Sequence, residues 1–462
     1  MLSQDRTKLL QSFLGSLPEH LAARLAKAVE VDRLMDGRQL PHEMILDGLR
    51  PVLRQADRLD RTTTPLRLFC RPFEDLLDSL ARREKQKASI ARSSVLPVWL
   101  WVSQNLLPDE SASYISDIKK SVLAHNADQT EARAEAFWTL VSNKIRQTLA
   151  SDAGRKSARA TLNGDLVVAD AEEIALLLGA GAEIVKVQQK LVKPAPAMTE
   201  ELLWSLRVNY DHLVQTNLDV APYVAVIAMN RLERPWEALR LPLSISRQTQ
   251  DTLISKTDMG LVGEILFARM ETLQKAILAT RHPNFDGEKL MEDVASFAEL
   301  SSAIVKEIEV RRDGEWGQRL LKDRSAVGGI MDGFMDRAPR EVAAAMPMQK
   351  GPAKMPDLTR AVDAEKTERA LRYARLIMGS RAFAAAASFA AKQKDAYEEA
   401  SSHLQRYAED LVKEMRVAQG ERHAIVEQQF ALATELTAIL FSEQEAELLR
   451  RRGRAAMADA AA

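Results

Sequence analysis

The segment 231–260, RLERPWEALRLPLSISRQTQDTLISKTDMG, holds the richest group of polar and aromatic side chains in the chain. Guanidinium groups and hydroxyls can hold a phosphate or a carboxylate, and an indole can stack on a planar group. One interpretation is therefore a small-ligand pocket around 231–258, whose candidate binding residues are Arg234, Trp236, Arg240 and Arg247. The other is a structural corner between two helices, whose arginines satisfy helix C-termini and acidic neighbours.

The segment 174–191, IALLLGAGAEIVKVQQKL, has to be weighed as a nucleotide-binding loop. Gly179 and Gly181 match the first two glycines of the dinucleotide fingerprint G-x-G-x-x-G, but Ile184 occupies the third position and would obstruct helix–strand packing. The apolar residues recur instead with the 3.6-residue period of a helix. We therefore predict a helix near 171–191 in which both glycines contact a neighbouring helix.

Other motifs for catalysis and metal binding are incomplete. The seven histidines are scattered, with no H-x-x-x-H pair and no H-E-x-x-H motif, so no ligand set for a catalytic metal is visible. The spacing from His282 to Asp293 resembles a calcium-binding loop, but histidine replaces the first carboxylate, and Asp286 is explained as a helix N-cap. Ser116 and Lys119 match S-x-x-K without its companion motifs. We predict no catalytic residue, no metal site and no cofactor.

The composition bears on further classes of protein. Lysine and arginine total 64 against 65 aspartate and glutamate residues, so a dedicated nucleic-acid binder with a basic face over a whole domain is not expected. The single cysteine, Cys70, excludes an intramolecular disulfide and a multi-cysteine zinc site, and we expect a buried, inert thiol. No stretch reaches the roughly 18–20 uncharged apolar residues that span a bilayer. We expect a cytoplasmic protein without a transmembrane segment.

Helices must position these residues, because a proline followed closely by a carboxylate recurs along the chain. Proline fits the first helical position, and a carboxylate interacts favourably with the positive end of the helix dipole. The pattern stands at Pro18-Glu19, Pro41-His42-Glu43, Pro72-Phe73-Glu74, Pro108-Asp109, Pro235-Trp236-Glu237 and Pro339-Arg340-Glu341. Asp170 and Glu173 similarly resemble a capping box ahead of the glycine helix, after an expected loop at 164–170. Convincing alternating strands are missing, so the predicted fold class is all-α and multi-helical.

The chain exceeds the length at which one core usually stops growing, so we expect more than one domain. The pattern predicts an N-terminal helical domain at 1–160 and a central helical domain at 165–345. A Pro/Met-rich connector at 346–360 leads to a C-terminal helical hairpin or coiled-coil-like region at 361–450 and a frayed tail at 451–462. We expect the C-terminal helices to bury their apolar seams on the protein's own body or across a dimer.

Just before the connector, the sequence GGIMDGFMDRAPREVAAAMP places apolar side chains on one face of a short helix. Its glycines weaken that helix in isolation, and methionine side chains adapt to irregular grooves. The candidate partner-docking residues are Ile330, Met331, Phe334 and Met335. The alternative is that this face covers the core of the second domain.

Two functions from different classes follow. The first is a non-catalytic cytoplasmic scaffold or adaptor that acts through protein–protein interaction, with a homo-oligomer formed through 361–450 as one form of it. The second is an all-α enzyme or small-ligand sensor with a pocket lined by arginine and tryptophan around 231–258. The missing catalytic motifs, the connector and the hairpin favour the first. A long exposed apolar groove would favour the scaffold, and a closed pocket around 231–258 would favour the sensor.

Overall fold

The fold is helical along nearly all of the chain that can be described. The computed structural model describes residues 4–34, 40–55, 63–79, 84–246, 257–280, 285–349 and 355–461. Within these ranges the strands are β1 (Leu77–Asp78) and β2 (Ile90–Ala91), a short parallel pair with Leu77 opposite Ile90. The predicted all-α, multi-helical class is confirmed.

The chain divides into two compact units, Met1–Ala238 and Leu239–Ala462. The predicted boundary at 160–165 lies inside the first unit. The helices of the first unit are α1 (Gln4–Gly15), α2 (Glu19–Leu34), α3 (His42–Gln55), α4 (Pro65–Cys70), α5 (Arg92–Trp101), α6 (Pro108–Leu123), α7 (Ala127–Leu149), α8 (Asp152–Leu162), α9 (Asp165–Leu178), α10 (Gly181–Lys190), α11 (Glu200–Thr216) and α12 (Tyr223–Arg231). Shorter 3-10 or π-helical turns lie at Arg71–Leu76, Val102–Leu106 and Pro235–Leu239.

The second unit continues the helical arrangement. Its helices are α13 (Arg240–Ser246), α14 (Leu261–Ala279), α15 (Gly287–Glu307), α16 (Glu315–Ala344), α17 (Ala364–Gly379), α18 (Ala390–Met415), α19 (Glu421–Leu440) and α20 (Glu443–Ala461). Two 3-10 turns lie at Asp258–Gly260 and Ser380–Ala382. Asp286 caps α15 by accepting a hydrogen bond from the Lys289 N–H at 3.0 Å, as expected from its position before the helix. His282 lies outside the described residues.

The proline pattern marks the start of most helices that it predicts. Prolines stand at or directly before the first turn of an α-helix or a 3-10 helix at Pro18, Pro41, Pro72, Pro108 and Pro235. The sixth predicted start is wrong, because Pro339 lies inside the 30-residue helix α16. Proline cannot donate the helical hydrogen bond, but Pro339 and the neighbouring Ala338 and Val342 are buried, so packing offsets that loss.

The predicted glycine helix is two helices. α9 ends at Leu178 and α10 begins at Gly181, with Ala180 outside the helical region at φ −122° and ψ 28°. The expected contact with a neighbouring helix is confirmed, because a Cβ added to Gly181 would meet Trp138 of α7 and one added to Gly179 would meet Ser142 of the same helix. The glycine pair therefore serves close helix packing.

The predicted capping box at Asp170 and the loop at 164–170 are wrong. α9 begins at Asp165, directly after Gly164, whose φ of 145° suits glycine. Asp170 and Glu173 therefore lie within the helix, where they are 2% and 7% exposed. A buried carboxylate requires partners, and these come from a different part of the first unit.

Aromatic side chains form part of the first unit's core. Tyr114 of α6 stacks on Phe137 of α7 with ring centroids 4.0 Å apart, and Trp99 of α5 contacts both rings edge-on. Phe69 of α4 contacts Trp99 at 5.0 Å. These contacts fix α4, α5 and α6 relative to α7, and Trp99 is half-buried at the surface of the unit.

Helix α16 is central to the second unit, where it packs against α17 and α18. Met331, Phe334 and Met335 are buried, Ile330 is half-buried, and the Phe334 ring lies 4.7 Å from Phe285. The expected short helix is wrong, since these residues belong to a 30-residue helix whose apolar face is covered. Their burial fits the alternative that the face belongs to the core and argues against a docking surface there.

The C-terminal region holds the predicted hairpin together with two further helices. α18 and α19 pack on each other, α17 packs on α19, and α20 packs on both α18 and α19. The predicted frayed tail is wrong for 451–461, because α20 continues through it with Gly453 and Ala456 buried. In the connector, the Gln349 N–H donates a hydrogen bond to the Met355 carbonyl at 2.9 Å. The residues on the two sides of the connector's undescribed part are therefore hydrogen-bonded to each other.

Candidate functional site

A buried ionic network in the first unit joins the start of α5 to α9. The Lys85 ammonium donates to Asp170 Oδ1 at 2.6 Å and to Glu173 Oε2 at 2.5 Å. The other oxygen of each carboxylate is also bonded. Asp170 Oδ2 accepts hydrogen bonds from the Ala91 N–H and the Ser94 hydroxyl. Glu173 Oε1 accepts hydrogen bonds from the Ala88 N–H and the Tyr223 hydroxyl.

Two carboxylates beside one lysine resemble an acid–base site, but this network is structural. Each carboxylate oxygen of Asp170 and Glu173 already accepts a hydrogen bond within the fold, and the two residues are only 2% and 7% exposed, so a substrate has little access to them. Burial, followed by the negative charge of Glu173, raises the pKa of the Tyr223 phenol, which keeps it protonated as a donor. The network holds the segment that leads into α5 against α9, and α5 in turn carries Leu96 and Leu100 to the surface.

A second buried network uses an arginine from the polar segment 231–260. Arg231 Nε donates to Asp75 Oδ2 at 2.7 Å, and its Nη2 donates to Glu74 Oε1 at 2.7 Å. The Gln188 side-chain amide also donates to Asp75, at 3.0 Å. Arg231 is therefore engaged in tying α12 to the 3-10 turn after α4.

Of the four candidate ligand-binding residues, two arginines are engaged in ion pairs within the fold, Trp236 is half-buried, and one arginine lies outside the described residues. In the first unit, Arg234 pairs with Glu237 at 3.3 Å, and Trp236 is half-buried. In the second unit, Arg240 makes two hydrogen bonds to Glu307, at 2.8 and 2.9 Å. Arg247 lies outside the described residues. These pairs fit the interpretation of 231–258 as a structural corner, and the ligand pocket stays a prediction.

An open groove of about 910 Å³ lies in the first unit between two groups of helices. α2 and α3 form one side, and α4, α5 and α6 form the other. We call it the basic groove. Its apolar lining comes from Ala23, Ala26, Leu46, Leu53, Pro65, Leu66, Leu96, Trp99, Leu100 and Ile115. Leu96 and Leu100, one turn apart on α5, are 55% and 39% exposed, so the floor is open to solvent.

The charged residues of the basic groove are mostly cations. They are Lys27, Arg33, Arg50, Arg67, Arg92 and Lys119, against the acids Glu30 and Glu43. Among the lining residues, six cations less two anions leave an excess of four positive charges. Arg33 pairs with Glu43 at 2.9 Å, and Arg50 pairs with Asp47, outside the lining, at 2.9 Å. Arg67 spans from α4 to α2 through two hydrogen bonds to Glu30, at 2.6 and 3.0 Å, which fixes the distance between the two sides. An apolar lining together with an excess of cations suits an occupant that is apolar on one face and carries negative charges beside that face.

Other reactive groups in the described part of the chain offer little chemistry. The Cys70 side chain is half-buried rather than fully buried as expected, and desolvation raises the pKa of its thiol to about 12, which keeps it protonated. No cluster of three or more His, Cys, Asp or Glu in the described ranges could hold a metal ion. In the same ranges, no helix has the length and apolar character needed to cross a membrane.

Comparison with protein-family models, curated proteins and solved structures finds no match to this chain.

Sequence patterns did not identify the basic groove. Its lining comes from five helices spread between residues 23 and 119, and no local motif records which helices become neighbours. The sequence feature that could have indicated the groove is the stretch 93–108. It contains more apolar residues than one buried face of a helix would use, so some of them are expected at the surface. Leu96 and Leu100 recur there at helical spacing, close to Arg92.

Proposed function

We propose that this protein is a non-catalytic cytoplasmic adaptor that binds an acidic amphipathic helix of a partner protein in the basic groove. The observation that carries the proposal is the pair of exposed leucines, Leu96 and Leu100, in a groove whose lining holds four more cations than anions. A helix that docks in a groove places apolar residues at spacings of three and four against such leucines. Its flanking carboxylates would then meet the cations of the lining.

The openness of the floor favours a helix over a small ligand. Small-molecule sites usually bury most of the ligand's surface. The leucines on α5 remain exposed along one turn of helix, so a compact ligand would leave part of this apolar surface in water. An extended amphipathic helix would cover both leucines and reach the cations on α2 and α6 together.

The buried ionic groups of the first unit support a non-catalytic role. Lys85, Asp170 and Glu173 satisfy one another within the fold, as do Arg231 and Asp75. General acid–base catalysis needs a group that can reach a substrate proton. These networks instead stabilise the helices that form the groove.

The direct test uses a fluorescent synthetic peptide of about 18 residues, or five helical turns, with a leucine face flanked by glutamates. A second peptide has every glutamate replaced by lysine. We expect anisotropy titrations to show at least roughly tenfold tighter binding of the acidic peptide, with affinity that falls as salt rises, because the lining is basic. Leu96→Asp should weaken binding by roughly tenfold or more, since one leucine contact is lost and a carboxylate is added.

The matched control is Leu140→Asp, because Leu140 is similarly exposed but lies on α7 and does not line the basic groove. It should leave acidic-peptide binding unchanged. Equal affinity for both peptides, or unchanged binding by the Leu96→Asp variant, would contradict the proposal. Stoichiometric binding of dodecanoate, with no binding of either peptide, would favour a small anionic amphiphile instead.

A further inference from the structure

A second groove, of about 560 Å³, lies on the C-terminal helices of the second unit. α19 and α20 are joined by two residues and run antiparallel, and they touch closely where a Cβ on Gly453 would stand 2.5 Å from the Phe430 ring. Phe430, Ala431, Ala438 and Met457 supply apolar surface to the groove. We call it the hairpin groove. Small side chains at Ala431 and Ala438 allow another helix to approach the backbone of α19.

The two walls of the hairpin groove carry opposite charges. Glu427 and Glu435 are exposed two turns apart on α19. Arg450 and Arg454 lie one turn apart on α20, where surface pairs with Glu443 and Glu447 hold them. Glu443 is the one acid that α20 adds to the lining, so two arginines less one glutamate give the α20 lining a net charge of about +1 against −2 on α19. Such exposed pairs contribute little to stability and exchange partners readily, so the arginines can meet another carboxylate.

We propose that the hairpin groove is covered by a second copy of this chain, related to the first by a two-fold axis. A two-fold interface uses the same patch on both copies, so the patch has to complement itself. Rotation about an axis that runs along the groove, parallel to α19 and α20, brings the acidic wall on α19 of one copy towards the basic wall on α20 of the other. A partner with one predominant charge would match only one wall. The charge pattern therefore favours self-association.

Sedimentation velocity of the full chain from about 1 to 100 µM tests this proposal, because a dimer dissociates on dilution. Glu435→Arg places a cation against the basic wall, and Arg454→Glu places an anion against the acidic wall. Each variant should weaken the dimer by roughly tenfold or more, since like charges would then face each other across the interface. The double variant carrying both exchanges should recover most of the lost affinity.

Two controls separate the interface from the fold. Glu409→Arg makes the same charge change at an exposed position of α18 that does not line the groove, and it should leave the dimer unchanged. Ala431→Cys should form an intermolecular disulfide on mild oxidation, whereas the wild type should not, because its half-buried Cys70 has a raised pKa and stays a thiol. A monomeric wild type over the whole concentration range, or single variants that dimerise normally, would overturn the proposal. Binding of the acidic peptide to the basic groove is independent of either result.

Discussion

A Cβ on Gly181 would stand 2.6 Å from Cε3 of Trp138, closer than atoms of two side chains can approach. The Trp138 indole is itself fixed, because its Nε1 donates to the Leu68 carbonyl at 3.0 Å. The backbone at the start of α10 therefore packs directly against an immobile ring of α7. Glycine at position 181 is required by this contact.

The first prediction concerns this contact. Gly181→Leu should lower the free energy of unfolding by about 1–3 kcal/mol, because the added side chain overpacks a rigid part of the core. Urea denaturation followed by circular dichroism measures the change. The matched substitution is Gly329→Leu on α16, where an added Cβ has no neighbour within 4 Å. It should be neutral or stabilise by up to about 1 kcal/mol, because leucine favours helix over glycine. Equal stability of the two variants would contradict the packing argument.

The sequence determined the helical class but not how the helices meet. Periodicity and helix-start signals are local, so they located α2, α3 and α6 correctly. The break at Ala180 depends on the position of Trp138, about forty residues earlier in the chain, and no local pattern contains that information. Pro339 illustrates the opposite error, since tertiary packing overrides a strong local signal.

The second prediction distinguishes a core face from a docking face on α16. Phe334→Ala should destabilise the protein by about 3–5 kcal/mol, because a buried aromatic ring leaves a cavity beside Phe285. Leu321→Ala, on the same helix but with an exposed side chain, should change stability by less than about 0.5 kcal/mol. Thermal unfolding of both variants provides the comparison. A melting temperature that barely moves for Phe334→Ala would restore the docking interpretation.

The third prediction concerns the buried network of Lys85. Lys85→Met removes the cation that neutralises Asp170 and Glu173, and so leaves two buried carboxylates without an opposite charge. The loss of stability should be about 3 kcal/mol or more, as for other broken buried ion pairs. Lys186→Met, at an exposed position of α10, is the control and should change little. If Lys85→Met is as stable as the wild type, the network does not hold α5 against α9.

The candidate sites show why residue type predicts less than residue position. The arginines of 231–258 have the chemistry to bind an anion, yet Arg234 and Arg240 meet Glu237 and Glu307 within the fold. The cations of the basic groove are chemically similar, and their spacing along the chain is unremarkable. Their placement around the exposed leucines of α5 follows from long-range packing, which one sequence does not reveal.

The fourth prediction rests on Asp323, a buried residue of α16 whose Oδ2 has no hydrogen-bond partner among the described atoms. Burial, followed by the negative charge of Glu271, raises the pKa of this carboxyl above its ordinary value. The folded protein therefore binds this proton more tightly than the unfolded chain does. As pH rises from the ordinary carboxyl pKa, near about 3.9, through the raised value, the contribution of Asp323 to stability falls, and it stays low at neutral pH.

Asp323→Asn should accordingly raise the free energy of unfolding more at neutral than at acid pH, because the amide cannot ionise. The stability difference between variant and wild type should be more favourable at about pH 7 than at about pH 4, as measured by urea unfolding at both values. Asp313→Asn is a control of opposite sign. The hydrogen bond from Arg311 lowers the pKa of Asp313, so its contribution is present at neutral pH and is lost as pH falls through the lowered value. Removing this exposed carboxylate should weaken the protein slightly at neutral pH and almost as much at about pH 4, because its contribution is lost only below the ordinary carboxyl pKa. The same pH trend in both variants would show that net charge, rather than the burial of Asp323, governs the response.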